Sequence, residues 1–255
     1  MRIVLSCLAL AALVASAFVA ASPALAVGGA RNEAVRARPA AAVVKNQQLT
    51  HWRTIGYWAH VSYAVPVHAW PTTNSRIVTR LHYRTEQKLP EVYLVLARRV
   101  TRDGRTWLKL ALPMWPNGKT GWVVHRALGR LNKVESWLVV DLRRLRARFF
   151  ERGRSRSSFP IGVGKPSTPT PRGLFWVREE FAMANQAAYG PYAFGTSAYS
   201  KIRDWAGGDV VGLHGTSAPG LVPGRPSHGC VRFHNRDILW LAHHMPVGTP
   251  VAVIN

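Results

Sequence analysis

The sequence predicts a mainly β protein in two parts, a small N-terminal β-barrel followed by a second β domain with one or two short helices. Short apolar and polar alternations, separated by Gly, Asn and Asp turns, fill residues 57–128. A second series of strand patterns begins after Asn132. One later segment predicts a helix, because an N-cap residue at Asn235 and Asp237 precede an apolar run over 238–242. Together these observations place most of the chain in strands.

The N-terminus predicts export from the cytoplasm. Met1-Arg2 precedes an apolar run that extends to about Ala20, and small residues stand at Ala24 and Ala26. This pattern predicts a signal peptide over residues 1–26, with cleavage after Ala26. The alternative is an uncleaved anchor, because the run is close to the length that spans a bilayer. We therefore expect a protein of the cell wall or periplasmic space, which contacts the membrane only if the signal is retained.

Residues 27–54 predict a linker, because their Gly, Ala and Pro residues follow no sustained period. Residues 55–130 then predict the small barrel, with an Asp103-Gly104 turn leading into a strand over 106–110. The stretch 117–123, NGKTGWV, resembles the bacterial variant of the Src-homology-type barrel, a wall-targeting module. The resemblance implies a binding or spacing role. Tryptophans could form a ligand platform, although core positions are favoured for them in so small a barrel: Trp70, Trp107, Trp115 and Trp122.

The second domain is predicted over residues 134–255. A strand over 137–142 is followed by a half-buried strand, in which Arg144, Arg146 and Arg148 face outward. This basic row is either simply solvated or able to dock an anionic polymer. The helix is predicted to begin with Asn235 as its N-cap and to end at His243-His244.

The charge balance indicates an attraction to polyanions. Lys and Arg number 34 against 12 Asp and Glu, a formal net charge of +22. For an exported protein the available polyanions are teichoic-type wall polymers and anionic lipid headgroups, and nucleic acid is not expected as a partner. The alternative interpretation is a set of solvated Arg-rich faces that reflects compositional bias.

Cys230 is the candidate nucleophile. Because Cys7 lies in the apolar run, Cys230 is the only cysteine that remains after signal removal, and a lone exported thiol is either inert or reactive. Two histidines could act as its base: His214, at the end of a strand pattern, and His228, two residues before the cysteine. We expect a neighbouring imidazole or backbone amides to lower the thiol pKa. Gly229 would allow a tight turn that exposes amides to an oxyanion.

The motif Ser227–Arg232, preceded by His214–Thr216, looks like the catalytic motif of the L,D-transpeptidase family, which remodels bacterial peptidoglycan. Residues 165–173 resemble the family's strand-linking loop, and residues 205–208 resemble its approach to the first histidine. The resemblance covers about residues 134–254 and implies an L,D-transpeptidase-like β-sandwich.

The resemblance also implies residue roles. Cys230 would be the acyl-accepting nucleophile and His214 its general base, oriented by the carbonyl of Gly215. The backbone of His228 and Gly229 would frame the oxyanion hole together with Cys230. Substrate contacts would come from Ser227 and from Arg232, the latter through a carboxylate. Asp209 is a weak candidate for the third member of a triad.

The implied reaction releases D-Ala from a tetrapeptide stem and transfers the acyl group to an amine of a neighbouring stem. The third stem residue would be meso-diaminopimelate or Lys. Neither a metal nor an organic cofactor is implied, and carbapenems are expected to acylate the cysteine.

Three alternatives stay open on the sequence alone. Water could resolve the thioester, which would make the chain an L,D-carboxypeptidase or endopeptidase. The protein could instead be a non-catalytic wall-binding protein with an inert Cys230. A metal site is chemically conceivable, but the spacing of its donors is not typical of one: His214, His228, Cys230 and His234.

Overall fold

The computed structural model describes residues 43–183, 188–201 and 209–255. The predicted signal peptide, the start of the predicted linker and residues 205–208 lie outside the described residues. The described residues all belong to one compact unit, Pro39–Asn255. They confirm a mainly β protein with one α-helix in the described part of the chain. No helix of that part is long and apolar enough to cross a membrane.

The first sheet has eight strands. Its main path runs β4-β3-β7-β6-β5-β2-β8, and β1 pairs separately with β5. All its pairings are antiparallel, and the pairs that are sequential in the chain are β3 with β4, β5 with β6, and β6 with β7. The strands are β1 Val43–Gln48, β2 Gly56–Ala59, β3 Pro66–His68, β4 Ile77–Arg80, β5 Tyr93–Thr101, β6 Thr106–Ala111, β7 Thr120–Val124 and β8 Asn132–Val134. Closure of these strands into a small barrel stays a prediction.

Two details of this sheet bear on the sequence predictions. Strand β1 lies within the predicted linker; it is held by pairing with the long strand β5, a long-range contact that local composition does not reveal. Trp107 and Trp122 are buried, at 1% and 5% exposure, whereas Trp115 is 37% exposed. The core interpretation therefore holds for Trp107 and Trp122 but not for Trp115.

The second sheet has ten strands in the order β11-β10-β9-β18-β13-β14-β15-β17-β12-β16. It mixes antiparallel pairs with parallel ones, including β15 with β17. Its strands are β9 Ser136–Asp141, β10 Arg146–Glu151, β11 Arg154–Pro160, β12 Gly162–Gly164, β13 Gly173–Ala182, β14 Tyr192–Tyr199, β15 Val210–His214, β16 Gly224–Ser227, β17 Val231–Arg232 and β18 Pro250–Ile254.

Strand β10 follows the predicted alternation. Arg146 and Arg148 are exposed, whereas Ala147 and Phe149 are buried in the main core of the second sheet. The edge of the Phe149 ring meets Trp240 of the helix, with ring centroids 5.4 Å apart. The apolar face of β10 thus forms part of the surface on which the helix packs.

Helix α1, Asn235–His244, covers the core with Ile238 and Leu241. The prediction of Asn235 as N-cap is wrong: His234 occupies that position, without a side-chain capping bond. The Asn235 side chain instead accepts a hydrogen bond from the Thr216 backbone N–H at 2.8 Å. That amide lies on the loop after β15, and its hydrogen bond uses the side-chain oxygen that a helix cap would need. Two short 3-10 turns, His125–Ala127 and Pro219–Leu221, are also present.

The two sheets contact each other through an apolar cluster and a polar network. Trp176 of β13 packs with Val92 and Leu94, and its indole Nε1 donates to the Val92 carbonyl at 2.7 Å. Arg178 of the same strand pairs with Glu91. The loop between β4 and β5 is thereby held against the second sheet, beside the cavity described next.

Candidate active site

Parallel pairing of β15 with β17 brings His214 and Cys230 together. Leu213 lies opposite Val231 and His214 opposite Arg232, so Cys230, just before β17, comes beside Gly212. Registered partners share one face of a sheet. A methyl group at Gly212 would lie 3.9 Å from Cys230 Sγ and 3.9 Å from His214 Cδ2. The thiol and the imidazole therefore face the same small space, which a glycine leaves open.

The Cys230 thiol is largely withdrawn from water, although the residue is partly exposed. Burial raises the pKa of the thiol, against smaller lowering effects from the Gly212 N–H and from Arg232. The Gly212 N–H donates to Sγ at 3.4 Å. The expectation of a lowered pKa is therefore wrong for the unliganded site, because desolvation outweighs the two favourable contacts. The resting form is the thiol.

His214 is only 3% exposed. Burial lowers its pKa to about 4, although the hydrogen bond to Gly215 opposes this shift and nearby Arg232 adds to it. Its Nδ1 donates to the Gly215 carbonyl at 2.6 Å, which leaves Nε2 as the unprotonated nitrogen of a neutral ring. The Tyr189 ring packs edge-on against the imidazole with centroids 4.8 Å apart.

Asp209 does not complete a triad. It stands five residues before His214, roughly 16 Å away along an extended strand. The Gly215 carbonyl already occupies the position that a triad carboxylate would take. The imidazole is thus oriented by backbone.

The turn before Cys230 is stabilised by Ser227. Its hydroxyl donates to the Cys230 carbonyl at 2.6 Å and accepts from the Gly229 N–H at 3.1 Å. Ser227 is 1% exposed and its hydroxyl has internal bonds, yet the residue lines the cavity described below, so its substrate contact stays a prediction. The Gly229 N–H, predicted as an oxyanion donor, donates to the Ser227 hydroxyl in this structure. Gly229 has φ +130°, a conformation that favours glycine.

The loop over residues 165–173 fixes this turn from the other side. The Thr170 hydroxyl donates to the Gly229 carbonyl at 2.8 Å and accepts from the Gly164 N–H at 2.9 Å. The Thr168 hydroxyl and the Lys165 N–H both donate to the Ser227 carbonyl. The structure thereby gives this loop a physical role, which is to hold the segment that carries Cys230.

Arg232 and His228 both line the cavity but differ in burial. Arg232 is half-buried, and its Nε is enclosed without a hydrogen-bond partner in the described part of the chain. No carboxylate among the described residues forms an ion pair with it. A guanidinium in this position is available to an anionic ligand. His228 is exposed, so the buried His214 is the better placed of the two candidate bases.

A cavity of about 570 Å³ opens over these residues. It reaches from Cys230 and His214 to Glu179 on β13, and Gln87 from the β4–β5 loop lines it as well. No group of three or more His, Cys, Asp or Glu side chains among the described residues is arranged to hold a metal ion. A thiol, a neutral imidazole and a guanidinium around one cavity define a site suited to cysteine acyl-transfer chemistry.

A family model matches the part of the chain that holds this site. Residues 135–253 match the family model YkuD, described as the L,D-transpeptidase catalytic domain. The matched range includes residues 214–216 and 227–232, which carry the resemblance found in the sequence.

The chain is also similar to curated proteins with related names. The chain is 36% identical over 116 residues to a Bacillus licheniformis protein provisionally named L,D-transpeptidase YkuD, covering 46% of this chain and 64% of that protein. It is 28% identical over 157 residues to a Salmonella typhimurium protein provisionally named L,D-transpeptidase ErfK/SrfK, covering 55% and 51%. The chain thus spans between half and two thirds of these relatives. The solved catalytic domain of an E. faecium L,D-transpeptidase is 26% identical, covering 47% of this chain and 97% of that one, with a TM-score of 0.36.

Four residues of the site were not predicted from the sequence. Tyr189 carries no local motif, and Thr170 lies in the predicted 165–173 loop without having been assigned a role there. Glu179 and Gln87 lie 51 and 143 residues before Cys230. An alternating pattern could have placed Glu179 on one face of β13. Only the strand order shows that this face borders the cavity.

Proposed function

We propose that this protein is a cysteine-dependent L,D-transpeptidase that cross-links peptidoglycan stem peptides. The observation that carries the proposal is the placement of Cys230 and His214 around the glycine at position 212, with Arg232 beside them in one cavity. The family model that matches residues 135–253 supports the substrate class.

The first step forms a thioester. Because the resting pair is a thiol and a neutral imidazole, His214 Nε2 takes the thiol proton as Sγ attacks the carbonyl of the third stem residue. The backbone N–H of Cys230 is a candidate donor to the developing oxyanion, since Ser227 already holds the Gly229 N–H. The C–N bond to D-Ala then breaks, and His214 returns its proton to the departing amine. Arg232 is suited to hold a carboxylate of the stem.

The second step transfers the acyl group. A side-chain amine of a neighbouring stem attacks the thioester carbonyl, and His214 removes the proton that the amine loses. The C–S bond breaks and the thiolate is reprotonated. The product is a new amide between two third-position residues. Water in place of the amine would give the stem acid, as in an L,D-carboxypeptidase.

The test is intact mass spectrometry of residues 27–255 with a tetrapeptide stem, beside a Cys230→Ala variant. We expect a thioester adduct with loss of D-Ala, absent in the variant, and dimeric stems when excess stem is supplied. A carbapenem provides a second acylating probe. If the folded protein forms no adduct with either reagent, the proposal is wrong and the wall-binding alternative gains support. Adducts that yield only hydrolysed stems would instead identify a carboxypeptidase.

Export and wall association belong to the same proposal. The apolar run after Met1-Arg2 and the small residues at Ala24 and Ala26 support a cleaved signal, and the net charge of +22 supports contact with anionic wall polymers. N-terminal sequencing of the protein from an expressing bacterium should begin at Val27. A sequence that begins at Met1 would indicate a retained anchor.

A further inference from the structure

Four strands of the second sheet place Glu179 and Cys230 at the two ends of one row. Glu179 on β13 lies opposite Gly195 on β14, and Gly195 lies opposite Gly212 on β15. Gly212 in turn stands beside Cys230, one position before the registered pair Leu213 and Val231. All four residues of the row line the same cavity. The floor between the carboxylate and the thiol is therefore made of two glycines.

The Glu179 carboxylate and the Cys230 sulfur both lie close to the two glycines. A methyl group at Gly195 would lie 2.5 Å from Glu179 Oε1, and one at Gly212 would lie 3.9 Å from Cys230 Sγ. Cβ positions of opposed residues are about 5 Å apart, so carboxylate and sulfur are separated by roughly 5–10 Å of open groove. Neither glycine could carry a side chain without narrowing this passage, and at position 195 a side chain would collide with the carboxylate.

Glu179 is a buried carboxylate whose charge lacks a cationic partner. It is 4% exposed and forms no ion pair among the described residues. The Thr85 hydroxyl donates to its Oε2 at 2.7 Å and orients it from the β4–β5 loop. Burial raises the pKa of Glu179, in keeping with a carboxylate that would gain from an incoming positive charge. Its neighbour Arg178 is directed elsewhere, toward Glu91 and Glu86.

We propose that Glu179 binds the side-chain ammonium of the third residue of the donor stem, and thereby selects stems that carry a diamino acid there. This inference rests on the proposed function. When Cys230 attacks the carbonyl of a residue such as Lys, the ammonium of that residue lies up to about 7 Å from the carbonyl carbon. That length matches the groove. Thr85 acts as a positioning residue, so the β4–β5 loop contributes to substrate choice.

The test compares two tetrapeptide stems that are identical except for Lys or norleucine, which lacks the ammonium, at position three. Single-turnover thioester formation on Cys230 is followed by intact mass. We expect the wild type to prefer the Lys stem by about 10- to 100-fold, the range for a desolvated charge-assisted hydrogen bond. Glu179→Gln should reduce the preference to within about threefold while leaving the norleucine rate nearly unchanged.

Glu180→Gln is the matched control. Glu180 is the next residue on the same strand, and it is exposed and bonded to the Tyr192 hydroxyl. This variant should keep the wild-type preference. Glu179→Asp retains the negative charge and should keep part of the preference for the Lys stem. This variant therefore separates the loss of charge from a folding defect in Glu179→Gln. Alkylation of Cys230 by iodoacetamide at the wild-type rate shows that each variant has an intact site.

Two results would overturn the inference in distinguishable ways. If Glu179→Gln keeps the full preference for the Lys stem while thioesters form normally, Glu179 does not bind the ammonium, and the proposed function stands. If the wild-type protein, with a reactive Cys230, forms no thioester with either stem, the proposed function fails and this inference fails with it.

Discussion

Two arginines on the second sheet, the buried Arg178 and the half-buried Arg232, differ in the partners that the fold gives them. Arg178 on β13 has both neighbouring carboxylates, Glu91 and Glu86, and the Tyr199 hydroxyl as partners. Arg232 on β17 has an enclosed Nε with no partner among the described residues. Leaving a buried donor unpaired costs free energy, and an anionic ligand in the cavity would remove that cost.

The largest effect should come from exchanging these arginines for methionine. Arg178→Met leaves Glu91, which is fully buried, without its cation, and we expect the free energy of unfolding to fall by about 3–5 kcal/mol. Arg232→Met should change it by about 1 kcal/mol or less, because no partner is orphaned, yet should slow thioester formation about 10- to 100-fold. Urea unfolding and single-turnover acylation measure the two effects. Equal destabilisation by both substitutions would refute the comparison.

The pH dependence tests the protonation states of the Cys230 and His214 pair. Because burial lowers the pKa of His214 to about 4, the imidazole stays neutral well below the ordinary histidine value of about 6.5. Stem acylation through His214 should therefore persist as pH falls to about 5 and be lost near 4. Because the thiol pKa is raised, alkylation of Cys230 by iodoacetamide should accelerate only at pH values above the ordinary pKa of a cysteine thiol. Rapid alkylation that is constant across neutral pH would reveal a preformed thiolate instead.

A smaller effect is expected from the turn that holds Cys230. Ser227→Ala removes the bonds to the Gly229 N–H and the Cys230 carbonyl, and we expect a loss of about 1–3 kcal/mol in unfolding free energy. Acylation should slow about tenfold as the cysteine loses its fixed position. Ser158→Ala is a suitable control, because Ser158 is exposed and bonded to Arg146 far along the chain from the motif. A Ser227→Ala protein with a wild-type acylation rate would contradict the positioning role.

Much of the fold could be predicted because its signals are local. The strand over 106–110 was predicted from alternation after an Asp-Gly turn, and the structure has β6 at Thr106–Ala111. The helix was predicted from Asp237 and the apolar run that follows it, and the structure has it at Asn235–His244 with His234 rather than Asn235 as the N-cap. The outward row of Arg146 and Arg148 followed from the period of two that every strand obeys. Each of these signals lies within about ten residues of chain.

The site likewise contains features that the local sequence predicts and features that depend on tertiary contacts. The residue types of the motif, Cys230 with His214 and Gly229, were evident from the sequence, because acyl transfer needs a nucleophile, a base and a tight turn. The internal role of Ser227 and the use of Asn235 by the Thr216 amide were not evident, since each depends on which backbone group reaches the side chain. Strand β1 escaped prediction because its partner, β5, lies about fifty residues along the chain.

By itself the sequence determined the mainly β character, the helix and the chemistry that residues 214–232 can offer. The tertiary structure alone decided that the thiol is protonated at rest, that two glycines separate it from Glu179, and that the β4–β5 loop reaches the cavity through Thr85 and Gln87. The physical reason is that pKa values and cross-strand rows depend on desolvation and register, which arise only when distant segments pack together.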